Sequence, residues 1–214
     1  LSRLLTPEET KHFEGRNIKI RVNRFAIDGI ALITENSSKD STVLVQDIIK
    51  VLKGTGSSIQ SLVFDNANSS TVRYFKELAG VKELPAEGVY ALKSNAEVIR
   101  YVHDNPGAIG VVGVNWMVQP PSNLEKIVEG LKILGVKNIE GQAGSDAYYK
   151  PTQNDIALGL YPLTRSLYII NCEGGAGLGT GFASFIAGER GQRVVLKSGL
   201  LPDSIPSREI NIVN

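Results

Sequence analysis

The stretch SIQSLVFDNANSSTVRYFKELAG, residues 58–80, is the most informative part of the sequence about the fold. Its apolar run at 62–64 predicts a buried strand, and the polar residues at 65–68 predict a turn. Ser69 is then placed to cap a helix with a periodic apolar face, and Gly80 is placed to end that helix. Strand, turn and helix in this order form the building unit of an α/β protein.

The sequence on both sides of this stretch continues the alternation of strands and helices. Capping signals start helices at Thr6 and at Ser94. A third capping box, at Ser122 and Glu125, precedes a segment that either stays helical or becomes a strand near 131–136. Together the patterns predict helices over 7–14, 40–54, 95–104, 179–188 and 191–198, strands over 18–36, 62–64, 108–114 and 165–171, and a loop over 141–155.

Length and composition are those of an ordinary globular protein. The 214 residues suffice for one large domain or two smaller lobes, and 42% hydrophobic with 21% charged residues predicts a folded chain. The 23 basic and 22 acidic side chains give a net charge of +1, so nucleic acid is not predicted as a partner. No apolar run reaches the roughly 18 residues of a membrane span, and residues 1–13 contain no apolar core of a signal peptide.

Few side chains suit catalysis or metal binding. Cys172 is the only cysteine, and the two histidines are His12 and His103, so a disulfide framework and a Cys/His metal site are excluded. Cys172 has no base partner that the sequence pattern reveals, and Ser184 lies outside a G-x-S-x-G motif. We therefore predict no enzyme, no cofactor and no metal, and interpret Cys172 as a small buried apolar residue.

The segment NCEGGAGLGTGFASFIAGERG, residues 171–191, places five glycines between 174 and 181, at the start of an apolar helix. Glycines before a helix allow a phosphate to approach backbone N–H groups closely. The spacing does not fit a dinucleotide motif, because Thr180 and Phe182 stand where the third glycine is required. It does not fit a Walker A motif either, because no lysine follows before Lys197. We interpret these glycines as a tight turn that lets the following helix pack closely.

A better candidate for an anion site is the loop before the helix that Ser69 caps. Ser69, Ser70 and Thr71 place three hydroxyls and successive N–H groups at a helix start, beyond the carboxyl end of a predicted strand. The same residues are equally compatible with an ordinary helix cap. Asp65 would repel a bound anion unless it accepts a proton from the anion or pairs with a cation.

Six runs of the chain carry a family resemblance. They are LSRLLTPEE (1–9), AIDGIALITEN (26–36), VFDNANSSTVRYF (63–75), VYALKSNAEVIRYVHDNPGAIGVVGVNW (89–116), ALGLYPLTRSLYII (157–170) and GTGFASFIAGERGQRVVLKSGLLP (179–202). In order and spacing they resemble the periplasmic phosphate-binding proteins of bacterial ABC transporters.

The resemblance implies a two-lobed, hinged α/β fold of the type 2 periplasmic-binding-protein class, which closes on a ligand between its lobes. The second lobe would be 33–165, and the first would combine 1–32 with 166–214. The first lobe is expected to be incomplete, because the family's opening strand, helix and strand would precede Leu1. Those elements normally follow a lipoprotein or secretion signal, so the resemblance also implies an extracytoplasmic location and an ABC permease as membrane partner.

The resemblance also implies a binding site. The family's R-x-x-x-S-G-T phosphate loop falls on Asp65, Ser69, Ser70 and Thr71, with Asp65 in place of the arginine and Ser70 in place of the glycine. In the other lobe, the family's acidic residue that accepts a proton from phosphate falls on Arg3. We therefore expect the two lobes to have exchanged charges, with Arg3 facing Asp65. The predicted binding residues are Ser2, Arg3, Asp65, Asn66, Asn68, Ser69, Ser70 and Thr71.

The sequence therefore predicts a solute-binding protein that captures phosphate or a related oxyanion for an ABC transporter. A sensor or adaptor of the same fold, which binds a different solute or a protein partner, is the alternative that the altered loop permits. An enzyme that uses the glycine segment for a nucleotide is disfavoured because no catalytic constellation accompanies it.

Overall fold

The computed structural model describes residues 1–173 and 175–205. The chain divides into two compact units: unit 1 comprises residues 1–28 and the described residues from 165 onwards, and unit 2 comprises residues 29–164. The two units meet at 28/29 and at 164/165. The lobe boundaries predicted from the sequence were 32/33 and 165/166. The fold is α/β throughout, as the alternation of strands and helices predicts.

Unit 2 contains most of the regular structure. Its strands are β1 (Arg21–Glu35, which begins in unit 1), β2 (Thr42–Leu44), β3 (Ser61–Phe64), β4 (Val89–Ala91), β5 (Ala108–Gly113), β6 (Leu131–Ile133) and β7 (Gly135–Lys137). Its helices are α2 (Val45–Lys53), α3 (Ser70–Ala79), α4 (Asn95–Asp104), α5 (Asn115–Val118), α6 (Glu125–Glu129) and α7 (Gln153–Ala157).

The main sheet of unit 2 has the strand order β4-β3-β5-β1-β6. Strand β3 is parallel to both of its neighbours: Phe64 is registered with Ala91 of β4, and Val63 with Gly110 of β5. Strands β5 and β6 are antiparallel to β1. The carboxyl ends of β3, β4 and β5 therefore meet at one edge of the sheet.

The two faces of this sheet are covered by different helices. Val63 belongs to a buried cluster with Val98 and Ile99 of α4. The next residue, Phe64, points to the opposite face and contacts Phe75 of α3, with the ring centroids 5.3 Å apart. All of the largest fully buried side chains that the structure describes belong to unit 2, so this unit carries the larger hydrophobic core.

Unit 1 is built around the first part of β1. Strand β8 (Thr164–Asn171) and strand β9 (Leu201–Pro202) pair with β1. Its helices are α1 (Pro7–Glu14), α8 (Leu178–Ala187) and α9 (Glu189–Lys197). Buried Gln192 of α9 donates to the carbonyls of Phe25 and Ile186 at 3.0 and 2.8 Å, and thereby ties α9 to β1 and α8.

A buried ion pair joins β1 and β8 inside unit 1. Nε and Nη2 of Arg165 both lie 2.8 Å from Oδ2 of Asp28. The Asp28 side chain is 4% exposed and the Arg165 side chain 15%. A charge at this depth requires its partner, so each residue fixes the other in place.

Several sequence predictions are confirmed at single-residue detail. Thr6 and Glu9 form a complete capping box at the start of α1. Ser69 caps α3, and Gly80 ends it in the left-handed conformation with φ 67°. Ser94 caps α4, and strand β5 is buried along its whole length.

Other predictions are wrong in part. Helix α2 begins at Val45 rather than near 40, because Thr42–Leu44 pair with β7 as a parallel strand. The capping box at Ser122 does not form: Leu124 is the N-cap of α6, without a side-chain cap, and strand β6 follows from Leu131. Helix α7 is capped by Thr152 within the final part of the predicted loop.

Candidate functional site

The candidate site lies at the edge of the unit 2 sheet where its parallel strands end. The loop after β3 leads into α3, and the loop after β4 leads into α4, on opposite faces of the sheet. The Leu92 N–H donates to the carbonyl of Phe64 at 2.9 Å, which joins the starts of the two loops. Open α/β sheets bind ligands at this edge, near the point where helices change from one face to the other.

The loop from Asp65 to Ser69 is folded by its own polar side chains. Oδ1 of Asp65 accepts the Asn66 N–H at 3.0 Å, and Oδ1 of Asn66 accepts the Asn68 N–H at 2.8 Å. The Ser69 N–H donates to the carbonyl of Asn66 at 3.0 Å. The Asn66–Asn68 contact is an Asx-turn, and the Ser69–Asn66 contact closes a β-turn. The two turns bring the predicted residues of this loop together at the start of α3.

The start of α3 presents hydroxyls and the positive end of a helix dipole, which suit an anion, but its hydroxyls differ in exposure. Oγ of Ser69 accepts the Val72 N–H at 3.1 Å, and a hydroxyl that accepts in this way can still donate its own proton. Ser70 is half-buried, whereas Thr71 is only 5% exposed. The ten-residue helix also presents the positive end of its dipole here. Ser69 and Ser70 are therefore the more accessible hydroxyls at this helix start.

A residue that the sequence analysis missed also belongs to this site. Nδ2 of Asn95 donates to Oδ2 of Asp65 at 3.2 Å, across 30 positions of the chain. Asn95 is the first residue of α4 and follows its cap, Ser94. The register of β3 with β4 brings the two loops together, and the capping box at Ser94 was the sequence signal that could have pointed to this neighbour.

Ser2 and Arg3 lie in unit 1, just before α1. Nη1 and Nη2 of Arg3 donate to the Glu9 carboxylate at 2.6 and 2.8 Å, and Nη1 also donates to the Leu4 carbonyl at 2.8 Å. Glu9 is thus an acidic partner of Arg3 within unit 1. Three of the five guanidinium N–H donors are used within the segment around α1.

The same pairing changes the acidity of Glu9. The hydrogen bond from Arg3, followed by that from the Thr6 backbone, lowers the pKa of Glu9 from 4.5 to about 2. The carboxylate therefore remains charged at neutral pH and compensates the charge of Arg3.

The glycine segment holds an anion, and that anion is a side chain of the protein itself. The Glu173 carboxylate accepts the N–H groups of Gly179 and Thr180 at 3.0 and 3.1 Å, in the first turn of α8. A Cβ on Gly177 would lie 2.8 Å from Oε2 of Glu173, and one on Gly179 would lie 3.1 Å from the same carboxylate. These two glycines leave room for the carboxylate, which fills the position that a phosphate would need.

The interpretation of these glycines as packing residues for α8 is therefore wrong in part. A Cβ on Gly181 would meet nothing within 4 Å, whereas one on Gly191 would lie 2.3 Å from the carbonyl oxygen of Phe185. Close contact between α8 and α9 thus depends on Gly191. Gly174 lies outside the described residues.

The remaining candidate side chains are unremarkable in their surroundings. Cys172 is half-buried, and not buried as predicted. Nδ1 of His103 lies 2.9 Å from an exposed carboxylate oxygen of Asp104. Within 1–173 and 175–205, no group of three or more His, Cys, Asp or Glu is arranged to hold a metal ion. The described helices are also all too short or too polar to cross a bilayer.

One further cavity of unit 2, of about 280 Å³, lies beside β2 and α2. Its lining includes the acidic side chains of Asp40 and Asp47 together with Gln60 and Tyr148. Asp47 pairs with Lys50 at 3.0 Å. Acidic walls disfavour an oxyanion, so this cavity does not compete with the start of α3 for that class of ligand.

A family comparison matches nearly the whole chain. The model of the PBP superfamily domain matches residues 1–190. A search of curated protein sequences found no match. The matched family consists of solute-binding proteins and not of enzymes, in agreement with the prediction that this chain is not an enzyme.

Solved structures of phosphate-binding proteins share the fold. A substrate-binding protein from Clostridium perfringens, solved with bound phosphate, is 20% identical with a TM-score of 0.69, over 94% of this chain and 77% of that one. PstS from Borrelia burgdorferi is 25% identical with a TM-score of 0.57, over the same shares of the two chains. An ABC-type phosphate transport receptor from Vibrio cholerae is 18% identical with a TM-score of 0.62, over 93% and 77%.

Proposed function

The chain belongs to the PBP superfamily, and we propose that it is a solute-binding protein whose ligand is phosphate or a related oxyanion, held at the start of α3. The observation that carries this proposal is the capped ten-residue helix at the carboxyl end of β3, with Ser69 and Ser70 at its first positions. A helix start of this kind offers N–H groups, hydroxyls and a positive dipole end to an anion.

Asp65 gives the proposed site a preference among anions. Its carboxylate stands where the resembling family has an arginine, so it offers acceptors and negative charge instead of a bidentate donor. An oxyanion that keeps a hydroxyl group, such as hydrogen phosphate, can donate that proton to Asp65. A fully ionised oxyanion such as sulfate cannot do so and is repelled.

Ser2 and Arg3 remain proposed ligand residues. The bidentate pair with Glu9 holds the Arg3 guanidinium in one orientation, and it also reduces the positive charge that Arg3 can offer to an anion. We therefore assign the larger share of the binding free energy to the start of α3.

Transport is the process that the proposal implies. Structures with the same fold include an ABC-type phosphate transport receptor and a periplasmic phosphate-binding protein with bound phosphate. By analogy with them, this chain would act outside the cytoplasm, anchored as a lipoprotein or free in the periplasm, and would deliver its ligand to an ABC permease.

A sensor or adaptor of the same fold is the second candidate. The replacement of the family's arginine and glycine by Asp65 and Ser70 favours it, because both changes remove features of the phosphate loop. A ligand-binding protein gains stability when its ligand is added, by mass action. An adaptor that recognises a protein partner shows no such dependence on small anions.

Thermal unfolding in a panel of anions tests the proposal. The unfolding temperature is measured in phosphate, arsenate, sulfate and small organic acids at matched ionic strength. A rise with phosphate and arsenate that exceeds the rise with sulfate supports an oxyanion site of the proposed kind. Equal responses to all anions would point to a nonspecific salt effect and to the adaptor function.

A further inference from the structure

We propose that the chain that precedes Leu1 in the natural protein adds a β-strand to the outer edge of β8 and covers the exposed apolar surface of α8. Both surfaces belong to unit 1, so neither depends on the ligand proposed for unit 2. The expected incompleteness of the first lobe thereby has a defined place in the fold, which is one strand edge and one helix.

Leu1 is paired with β8 in the way that a strand residue is. Its backbone nitrogen donates to the carbonyl of Tyr168 at 2.7 Å, and the Tyr168 N–H donates to the carbonyl of Leu1, also at 2.7 Å. Two residues that exchange both bonds form the hydrogen-bonded pair of an antiparallel ladder. The chain upstream of Leu1 therefore runs beside residues 169–171.

The register of this pair identifies the next partner on β8. Successive residues of a strand direct their peptide groups to opposite edges, so Tyr168 and Ile170 serve the edge of Leu1, and the residue between them serves the edge of β1. The residue two positions before Leu1 is then the partner of Ile170. Residues 2–6 form no regular strand in the described structure and lead to α1. Since strands usually have about three to ten residues, the pairing that Leu1 makes continues upstream.

Helix α8 offers an apolar surface to the same segment. Its sequence LGTGFASFIA contains no charged residue, yet Ala183 is the one buried residue among the ten that the structure describes there. Leu178, Phe182 and Phe185 are 89%, 55% and 50% exposed. A helix that is apolar on all sides is typical of a protein interior, and exposed apolar surface of this kind marks a place of contact.

The strand edge and the helix are neighbours in unit 1. Nδ2 of Asn171, the buried last residue of β8, donates to Oγ1 of Thr180 in the first turn of α8 at 2.8 Å. A strand that runs past Ile170 toward Asn171 thus arrives at the start of α8.

Upstream chain fits these surfaces better than a second copy of the protein does. The match to the Clostridium perfringens and Borrelia burgdorferi structures covers 94% of this chain but 77% of theirs, so part of each of those chains lies outside the match. A second copy that paired through the edge of β8 would have to displace Leu1 from Tyr168. Upstream chain extends the pairing that already exists.

The test compares the chain that begins at Leu1 with the chain that carries its natural upstream residues. Phe182→Ser should lower the unfolding temperature by less than about 2 °C in the shorter chain, where the ring is exposed. In the longer chain it should lower this temperature by about 5 °C or more, because the ring is then buried. Leu158→Ser is the control, since Leu158 of unit 2 is 62% exposed and should respond equally in both chains. Equal effects of Phe182→Ser in the two chains would overturn the proposal.

Amide hydrogen exchange is a second measurement, which needs no variant. The Ile170 amide should exchange at least about tenfold more slowly in the longer chain, because it gains a ladder hydrogen bond. The amide of Val112, in buried β5, should exchange equally in both. Unchanged exchange at Ile170 would contradict the added strand.

Sedimentation of the shorter chain separates the two occupants. If this chain forms a dimer that Phe182→Ser dissociates, a second copy covers α8 and the proposal is wrong. A monomer at the same concentration supports upstream chain as the occupant. None of these measurements uses phosphate, so their outcome is independent of the proposed function.

Discussion

Nη1 of Arg3 lies 2.6 Å from Oε2 of Glu9, and this pair joins the segment before α1 to the first turn of that helix. The side chains are 34% and 40% exposed, so salt screens the pair. Because the Arg3 hydrogen bond lowers the pKa of Glu9 to about 2, the contribution of this pair to the stability of unit 1 depends on pH.

Stability should fall in acid partly through Glu9. Its pKa is lower in the folded chain than the ordinary 4.5, so its contribution is complete above that value and is lost as the pH falls toward about 2. We expect the unfolding temperature of Glu9→Gln to lie below that of the unaltered chain at pH 6, and the two to converge near pH 2. A difference that stays constant across this range would show that the pair does not titrate in this way.

Removal of the hydroxyls at the start of α3 should weaken phosphate binding. Ser69→Ala with Ser70→Ala deletes the accessible donors, and each donor that contacts the ligand contributes about 1–3 kcal/mol. The loss of the Ser69 cap also lowers stability by about 1 kcal/mol.

Thr152→Ala is the matched control, because Thr152 caps α7 by accepting the Asp155 N–H at 3.0 Å. It should lower stability by a similar amount, about 1 kcal/mol, and leave phosphate affinity unchanged. Calorimetric titration and urea unfolding of both variants separate the two effects. Equal phosphate affinity in the Ser69 and Ser70 variant would place the ligand elsewhere.

Restoration of the family's loop should strengthen binding. Asp65→Arg with Ser70→Gly recreates the R-x-x-x-S-G-T pattern, and a bidentate arginine is expected to raise phosphate affinity by about tenfold or more. Asp65→Met with Ser70→Gly is the control, because it removes the negative charge without adding donors. If both variants gain equally, repulsion by Asp65 and not the missing arginine limits binding in this chain.

Chemical rescue should reveal the internal anion of α8. Glu173→Ala leaves the N–H groups of Gly179 and Thr180 without their carboxylate and should cost about 1 kcal/mol, as for the loss of a cap. Added acetate or formate should recover part of this stability, because a small anion can enter the same position. The exposed Glu83→Ala serves as the control. A lack of any response that is specific to the Glu173 variant would contradict the assignment of Glu173 as a cap.

The local features of the fold were predictable from sequence, whereas long-range pairings were not. Ser69 and Gly80 act within one turn of α3, so their identities alone predict the ends of this helix. Strand β2 was missed because its residues 42–44 pair with 135–137, far along the chain, and the same residues fit a helical pattern equally well. Tertiary pairing then overrides local propensity.

The site was predictable to a similar extent. The loop from Asp65 to Ser69 stands out because polar residues follow a buried strand and precede a cap. Asn95 lies 30 positions further on, and its contact with Asp65 depends on the register of two parallel strands, which a single sequence does not state. The cap by Glu173 was missed because Glu173 lies four residues before the N-cap of α8. The capping box, in contrast, is a pattern of the N-cap residue and the first turn of the helix.

Isothermal titration of the purified chain with inorganic phosphate decides whether the start of α3 binds an oxyanion. We expect one binding site per chain, an affinity for phosphate above that for sulfate, and a loss of binding in Ser69→Ala with Ser70→Ala. If phosphate at millimolar concentration gives no heat of binding while circular dichroism shows a folded chain, the proposed phosphate site is wrong.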